Sequence, residues 1–517
     1  MKSLRDLPWL TAELAKIASG ESDVWFDPDD KRFADQAWQT TAYFRVLGQT
    51  YRVFELWLDR VCASVDGSWQ DQMRALFVSR ILSAAASPAN YLATNPVALR
   101  HAAETGGKSL LVGAQNLARD LARGGMPSAV DREPFPVGDK LACTPGAVVY
   151  REEMFELLQY APSTPRVRTR PLLMVPPQVN RYYILDLAPG RSVVEFAVAQ
   201  GIQTFMVVWR NPKASLGHGR WGLDDYLAAA QRAAAVVKNI THADTVNWLG
   251  LCAGGMSVAY LLGHLAATGE EYAGAATFIV TMAASSHPNV VGMLDTDAGR
   301  ASLELAAAAG QVIPGTALRS LFALLRPNDL VFNYLVSGWL MGQPATAFDV
   351  LAWNDDASCT PARFALDTTR IAVDEFGGDD PAAARPVVLG TPIDLSKVTC
   401  DSFHIGGYTD HITPWRTAYT TARLLGGAKE MTIVKSGHIQ SFVNPADSTR
   451  YDCWYGPPSA ADPDEWLAGA TVQHGSWWHR WGEWITARSG AEKPARKTLG
   501  TREYPPLEPA PGTYVHE

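Results

Sequence analysis

Hydrophobic residues in the first 150 positions recur three and four apart, which is the spacing of one face of an α-helix. The clearest case is an apolar stripe with polar residues between its members, formed by Phe44, Leu47, Tyr51, Phe54, Leu58 and Val61. Proline-containing breaks follow at 87–90 and 94–96. We therefore predict a mainly helical N-terminal domain over residues 1–150.

From about residue 171 the pattern changes to apolar runs of four to eight residues, each followed by a turn and a helical stretch. The predicted strands are PLLMV (171–175), YYILDL (182–187), TFMVVW (204–209), VNWLG (246–250), ATFIVT (276–281), CDSFHIGG (400–407) and MTIV (431–434). Nearly continuous apolar strands that alternate with helices are typical of a parallel sheet covered on both faces. The pattern predicts an α/β fold for a catalytic domain over residues 151–517.

The stretch of about 282–395 interrupts this alternation. It contains an alanine-rich helical segment and two aromatic segments, and at over a hundred residues it is too long for a loop. We predict an inserted cap subdomain over the carboxyl edge of the sheet. The proline-rich tail at 504–514 predicts an extended strap.

Composition then limits the partners and the compartment. A net charge of −8 without a basic run makes nucleic acid an unexpected partner. No apolar stretch approaches the roughly 18 residues of a membrane helix, and the first residues lack the apolar core of a secretory signal. The six cysteines are far apart and none forms a CxxC pair, which favours free thiols in a reducing cytosol. We expect a cytoplasmic protein.

The first chemical motif is the stretch VNWLGLCAGGMS at 246–257, a strand followed by Gly-x-Cys-x-Gly-Gly and an apolar helix. This is the layout of a nucleophile elbow, with Cys252 as the nucleophile. Side chains at Gly250 and Gly254 would collide with the neighbouring strand and helix. The N-terminus of the following helix favours a thiolate. The alternative is a buried structural cysteine in a tight turn.

The elbow also predicts an oxyanion hole made of backbone N–H groups. One donor is Ala253, the residue after the nucleophile. The other should come from the loop after the first core strand, PPQVN at 176–180, for which we select the amide of Val179.

Two later segments complete a triad. GGYTDHITPW (406–415) places Asp410 after one strand, and KSGHIQSFVNP (435–445) places His438 after the next. Nucleophile, acid and histidine in that chain order, each after a core strand, indicate the α/β-hydrolase fold. Taken singly, the aspartate could be a turn residue and the histidine a loop residue, but their coincidence with Cys252 favours the triad.

Other titratable residues receive smaller roles. His411 is a rival base, but consecutive residues of an extended segment point to opposite sides, so we predict a supporting position for it. The spacing of three residues loosely resembles that of metal ligands, namely His474, His479 and Cys453. Because no fourth ligand accompanies them, we expect no zinc site there. No phosphate-binding glycine loop occurs at a strand–helix junction, so neither a dinucleotide nor ATP is expected.

A cysteine nucleophile suits transfer between thioesters better than hydrolysis. Attack of Cys252 on an acyl-CoA exchanges one thioester for another at nearly constant free energy. The acyl group stays activated, and an alcohol can take it if water is excluded by the cap. His438 would act as general base, with Asp410 orienting its ring or itself accepting the hydroxyl proton.

These motifs resemble the polyhydroxyalkanoate synthase family. The three that carry chemistry are the elbow at 250–255, DHITPW at 410–415 and SGHIQS at 436–441. Similar segments extend over nearly the whole chain, namely DKRFADQAW (30–38), PPQVNRYYILDLAPGRSVVEFAVAQG (176–201), WRNP (209–212), RPNDL (326–330), WNDD (353–356), GTPIDL (390–395), SWWHRW (476–481) and YPPLEPAPGTY (504–514).

The resemblance implies polymerisation of (R)-3-hydroxyacyl-CoA into polyester with release of CoA, catalysed by Cys252, Asp410 and His438. It also implies a homodimer, a cap over the active site, and an N-terminal domain that helps docking on polyester granules, where granule-coat proteins are further partners. It implies no metal or redox cofactor. The segment MAASSHPNVVGMLD (282–295) departs from the family pattern, so monomer chain length stays open.

Two other functions stay open at the level of sequence. A cysteine-type thioesterase or polyester hydrolase would use the same scaffold and release free hydroxy acid. A granule-coat protein without activity is the non-catalytic alternative, which the intact Cys252, Asp410 and His438 argue against.

Overall fold

This computed structural model describes residues 6–284, 287–373 and 385–517. The chain divides into two compact units: unit 1 contains Met1–Arg132 and Arg319–Leu351, and unit 2 contains Glu133–Leu318 and Ala352–Glu517. Packing therefore splits the predicted cap of about 282–395 between the units, and its residues 285, 286 and 374–384 lie outside the described ones. The covering role of the cap stays a prediction.

Unit 1 is helical in its N-terminal part, as the spacing of apolar residues predicts. Its helices are α1 (Leu7–Ser19), α2 (Ala37–Thr40), α3 (Ala42–Ala63), α4 (Trp69–Ala86), α5 (Pro96–Glu104) and α6 (Lys108–Ala122). The predicted apolar stripe lies on α3, but the buried face is rotated from it. Val53 is fully buried, whereas Phe54 is 38% exposed. Aromatic side chains of Phe26, Phe33 and Trp38 pack with Tyr51 of α3.

The second part of unit 1 is built on unusual helical turns that pack on α6. Asn328–Phe332 and Leu335–Leu340 are π-helical. A Cβ atom at Gly113 would lie 2.0 Å from the carbonyl oxygen of Trp339, so only glycine permits this approach. The Trp339 indole N–H donates to Asp120 Oδ2 at 2.7 Å. These contacts hold a distant segment of the chain against the N-terminal helices.

Unit 2 contains the strands and the other helices. The strands are β1 (Gly146–Arg151), β2 (Phe155–Tyr160), β3 (Arg166–Arg168), β4 (Leu172–Val175), β5 (Thr204–Trp209), β6 (Val246–Leu251), β7 (Ala273–Ile279), β8 (Val312–Ile313), β9 (Thr360–Pro361), β10 (Val387–Val388), β11 (Thr391–Pro392), β12 (Asp401–Gly407), β13 (Lys429–Val434), β14 (Asp452–Gly456), β15 (Thr471–His474), β16 (Glu492–Pro494) and β17 (Glu508–Pro509). The helices are α7 (Val193–Ala199), α8 (Leu223–Thr241), α9 (Ala253–Thr268), α10 (Val290–Leu294), α11 (Asp297–Ala308), α12 (Gly315–Leu325), α13 (Asp349–Asp355), α14 (Ala362–Val373), α15 (Trp415–Leu424), α16 (His438–Phe442), α17 (Pro463–Gly469) and α18 (Trp478–Ala487). Helix α12 starts in unit 2 and ends in unit 1, and α13 does the reverse.

Within the described residues, one sheet of 11 strands dominates unit 2, in the order β15-β14-β13-β12-β7-β6-β4-β5-β2-β1-β17. The strands from β5 across to β13 are parallel, and β2 and β14 flank them in antiparallel pairs. The parallel strands are mostly apolar, and most of their residues are buried. This is the α/β-hydrolase fold, and the predicted fold class is confirmed.

Six of the seven predicted core strands are confirmed as β4, β5, β6, β7, β12 and β13. The prediction for 182–187 is wrong, because Tyr182–Ile184 forms a 3₁₀ turn. All of these residues are buried, and a short buried apolar run has the same pattern in a turn as in a strand. The Ser192 hydroxyl donates to Asp186 Oδ1 at 2.7 Å, which fixes the bend after the turn.

The predicted strap at the C-terminus is confirmed. It adds β17 to the outer edge of β1, where Leu507 N donates to Val148 O at 2.8 Å and Ala510 N donates to Gly146 O at 3.0 Å. Further along, the amides of Thr513 and Tyr514 reach the fully buried carboxylate of a residue on β2, Glu156.

Candidate active site

Cys252 lies at the sharp turn between β6 and α9. Its backbone has φ 52° and ψ −118°, a conformation that costs about 1–3 kcal/mol for a residue other than glycine. Two hydrogen bonds hold the turn: Cys252 N donates to Ile279 O at 2.8 Å, and Met256 N donates to Cys252 O at 3.1 Å. The thiol is half-buried at the N-terminus of α9. The predicted turn is therefore present, with Cys252 at the strained position, and its role as nucleophile stays a prediction.

The glycines of the elbow are required by close backbone contacts, as predicted. A Cβ atom at Gly250 would lie 2.4 Å from Gly255 Cα, and one at Gly254 would lie 2.3 Å from Val175 O. A Cβ atom at Gly255 would lie 1.9 Å from the hydroxyl oxygen of Thr281. Residues without side chains therefore let α9 start directly against β4 and β7.

His438 and Asp410 meet at the carboxyl ends of β13 and β12. The His438 Nδ1 atom lies 2.6 Å from Asp410 Oδ2, and both side chains are buried. The other carboxylate oxygen of Asp410 accepts from Ile412 N at 2.8 Å and from Thr413 N at 2.9 Å. Both oxygens of the carboxylate are therefore engaged, and the imidazole has one fixed orientation.

The same imidazole also interacts with the thiol. Burial alone would lower the pKa of His438, but the charge and hydrogen bond of Asp410, together with a hydrogen bond to Cys252, raise this pKa to about 10. Because Nδ1 faces Asp410, Nε2 is the ring atom left for the sulfur. The structure thus brings together the three residues that the sequence placed far apart.

The loop after β4 lies beside the elbow. The backbone of Val175 and Pro176 contacts Gly254, and the Gln178 side-chain amide donates to Ser257 Oγ, one turn into α9, at 2.9 Å. Val179 is half-buried in this loop and packs on the main core. Its role as an oxyanion donor, and that of Ala253, stays a prediction.

His411 is half-buried next to Asp410, and it is the ring of His438 that bonds to the Asp410 carboxylate. The structure therefore gives His438 the contact with Asp410 that the triad requires. The supporting role of His411 stays a prediction.

The sequence model of one protein family, described as "Poly-beta-hydroxybutyrate polymerase (PhaC) N-terminus", matches residues 29–197. The chain is 40% identical to poly(3-hydroxyalkanoate) polymerase 1 of Ectopseudomonas oleovorans over 98% of its length and 89% of the relative's. It is 38% identical to the poly(3-hydroxyalkanoate) polymerase subunit PhaC of Cupriavidus necator over 96% of this chain and 85% of that one. The chain belongs to the PhaC polymerase family.

Among solved structures, the monoacylglycerol lipase of Paleococcus ferrophilus aligns with 65% of this PhaC family member and 99% of its own chain. Its TM-score is 0.35 and its identity 10%, too low to add to the fold assignment.

The remaining candidate residues of this PhaC polymerase have other partners. His474 Nδ1 lies 2.9 Å from Asp452 Oδ1, His479 Nε2 lies 2.8 Å from Ala446 O, and Cys453 Sγ lies 3.4 Å from Gly475 O. Within the described ranges, no group of three or more His, Cys, Asp or Glu side chains could hold a metal ion. Those ranges also contain no helix with the length and hydropathy needed to span a membrane.

Sequence reasoning missed one set of contacts near the site. Glu517 contacts side chains from the loops that follow β4 and β5, among them Arg181 and Arg210. Nothing in the local pattern of 504–517 signals these partners, because they lie some 300 positions earlier in the chain.

Proposed function

We propose that this protein polymerises (R)-3-hydroxyacyl-CoA into polyhydroxyalkanoate and releases CoA through acyl-cysteine intermediates. The observation that carries the proposal is that Cys252, His438 and Asp410 come together beyond the carboxyl ends of β6, β13 and β12. Family membership supports it, because the curated relatives are named poly(3-hydroxyalkanoate) polymerases.

The first step is acylation of Cys252. The thiol proton passes to Nε2 of His438, whose pKa is raised to about 10, and the sulfur then attacks the thioester carbonyl of hydroxyacyl-CoA. The tetrahedral intermediate then collapses, the carbon–sulfur bond to CoA breaks, and His438 returns the proton to the leaving sulfur. One thioester replaces another, so the acyl group remains activated.

The second step transfers the acyl group to an alcohol. The 3-hydroxyl group of a further unit attacks the acyl-Cys252 thioester, and an ester forms as the sulfur leaves. We assign the removal of the hydroxyl proton to His438. Asp410 is a poorer candidate because His438, Ile412 and Thr413 already engage its two oxygens.

Backbone N–H groups stabilise the oxyanion in both steps. We assign them to Ala253, at the start of α9, and to Val179, in the loop that packs on the elbow. One such donor contributes about 2.7–4 kcal/mol to transition-state stabilisation. We place His411 behind the triad, where it supports the segment that carries Asp410. The reaction as written uses side chains and backbone alone, so we propose that it requires no metal or redox cofactor.

The N-terminal helices of unit 1 are proposed to dock on polyester granules in the cytoplasm and to support a homodimer. They carry exposed large apolar side chains, among them Leu82, Leu111 and Leu121, which are 61%, 69% and 61% exposed. Exposed apolar side chains suit an apolar polyester surface or granule-coat proteins.

The test measures CoA release and turbidity with C4 and C10 hydroxyacyl-CoA. The wild type should release CoA and form turbid polymer, and Cys252→Ala should do neither. Cys143→Ala is the matched control because that half-buried thiol lies outside the elbow. Free hydroxy acid without polymer would indicate a thioesterase, and full activity in Cys252→Ala would refute the mechanism.

A further inference from the structure

The C-terminal strap ends in a cluster of basic side chains. The Glu517 carboxylate accepts hydrogen bonds from Arg210 Nε at 2.9 Å and from Arg210 Nη2 at 3.1 Å, and Lys213 Nζ lies 2.9 Å from it. Burial would raise the pKa of Glu517, but these two cations lower it below its usual value. Tyr514 and Val515, which precede this residue, are buried. The end of the strap is therefore docked on the protein.

The main-chain oxygen of Glu517 connects a second loop to this cluster. Arg181 Nη2 donates to it at 3.1 Å, and Asn211 Nδ2 donates to it at 2.9 Å. Arg181 is buried and lies in the loop after β4, two residues beyond Val179. Asn211 lies in the loop after β5. Glu517 thus joins the two loops at the carboxyl ends of the adjacent core strands β4 and β5.

Arg181 and Asn211 are also held by the segment that follows α12 and the π-helical turns. The Trp353 indole N–H donates to Arg181 O at 2.8 Å, and Arg181 Nε lies 3.6 Å from Asp356 Oδ2. The Cys359 amide donates to Asn211 Oδ1 at 2.8 Å. The strap supplies the remaining support, since it holds the guanidinium group of Arg181.

We propose that Glu517 is a positioning residue that sets the place of the Val179 amide relative to Cys252. Its carboxylate fixes the end of the strap on Arg210 and Lys213, and its main-chain oxygen then holds the Arg181 side chain. The inference rests on the proposed function, because it requires an oxyanion to form at this loop. A small displacement of the Val179 amide would weaken its hydrogen bond to the oxyanion without removing that bond.

The test replaces Glu517 by glutamine, which keeps the shape and removes the charge. Glu503→Gln is the matched control, because Glu503 is an exposed residue of the same tail. We expect kcat for CoA release to fall about 5- to 20-fold in Glu517→Gln, below the ~10²–10³-fold loss that follows removal of one oxyanion donor. Iodoacetamide alkylates Cys252 without forming an oxyanion, and mass spectrometry of the Cys252 peptide measures the rate. We therefore expect Glu517→Gln and the wild type to be alkylated at the same rate.

A double-mutant cycle with Arg210→Gln checks the contact itself. Residues that act as one unit are non-additive, so the double variant should be no slower than the slower single variant. The inference is overturned if Glu517→Gln has the same kcat for CoA release as Glu503→Gln. It is also overturned if the rate of Cys252 alkylation falls together with kcat in Glu517→Gln. A wild type that releases no CoA would instead refute the proposed function, which is a separate result.

Discussion

Replacing Asp410 by asparagine tests how the His438 ring is held. The amide oxygen of asparagine can still accept from Ile412 N and Thr413 N, so the loop after β12 should keep its fold. The amide nitrogen then faces Nδ1 of His438 and donates to it. This favours the tautomer with the proton on Nε2, where the ring cannot accept the proton of Cys252.

The size of the effect follows from the bond that is lost. A hydrogen bond to a charged group contributes about 1.5–3 kcal/mol, which corresponds to about 10- to 150-fold in rate. The wrong tautomer also removes general base catalysis, which contributes ~10²–10⁴-fold. CoA release from hydroxyacyl-CoA by Asp410→Asn should therefore fall by at least ~10²-fold.

The assay follows free CoA with a thiol reagent, and the matched control is Asp452→Asn. Asp452 pairs with His474 in the same way, but its side chain is 39% exposed and that of His474 is 63% exposed. An exposed pair contributes little, so the control should stay within about 2-fold of the wild type. If Asp410→Asn also stayed within that range, His438 would not depend on Asp410 and the proposed mechanism would be wrong.

Three more results are expected. Cys252→Ser should lose most CoA release, because an oxygen ester is a poorer acyl donor than a thioester. Gly254→Ala should lower the free energy of unfolding by about 3 kcal/mol, because its Cβ atom would lie 2.3 Å from Val175 O. The control is Gly469→Ala, where nothing lies within 4 Å of the added Cβ atom. Equal losses of stability for the two variants in a urea titration would contradict this expectation. The His438 pKa is raised from 6.5 to about 10, so the pairing of His438 with Asp410 stabilises the fold fully below pH 6.5 and loses this effect as the pH rises to 10. Between these pH values the urea midpoint of the wild type should therefore fall more than that of His438→Gln. Equal slopes of midpoint against pH in the two proteins would contradict the pairing.

The parallel strands could be predicted because each is a local apolar run. The elbow was equally accessible, since its glycines and Cys252 lie within twelve positions. The same reasoning gave a wrong prediction for residues 182–187, because a turn that is fully buried has the same run of apolar residues as a buried strand. The antiparallel β1 and β2 carried no comparable signal, since their polar residues, including the buried Glu156, find partners in the distant strap.

The sequence determined the α/β class of the catalytic part and the strained elbow, because strand period and glycine spacing are local patterns. It also indicated the candidate triad, because the chain order of Cys252, Asp410 and His438 and their places after core strands can be read along the chain. Tertiary structure decided the rest. It set the 2.6 Å contact of His438 with Asp410, packed Trp339 on Gly113, and placed Glu517 against the loops that follow β4 and β5. Each of these contacts joins residues that are distant in the chain. Their geometry depends on how the sheet and helices pack, which no short stretch of sequence specifies.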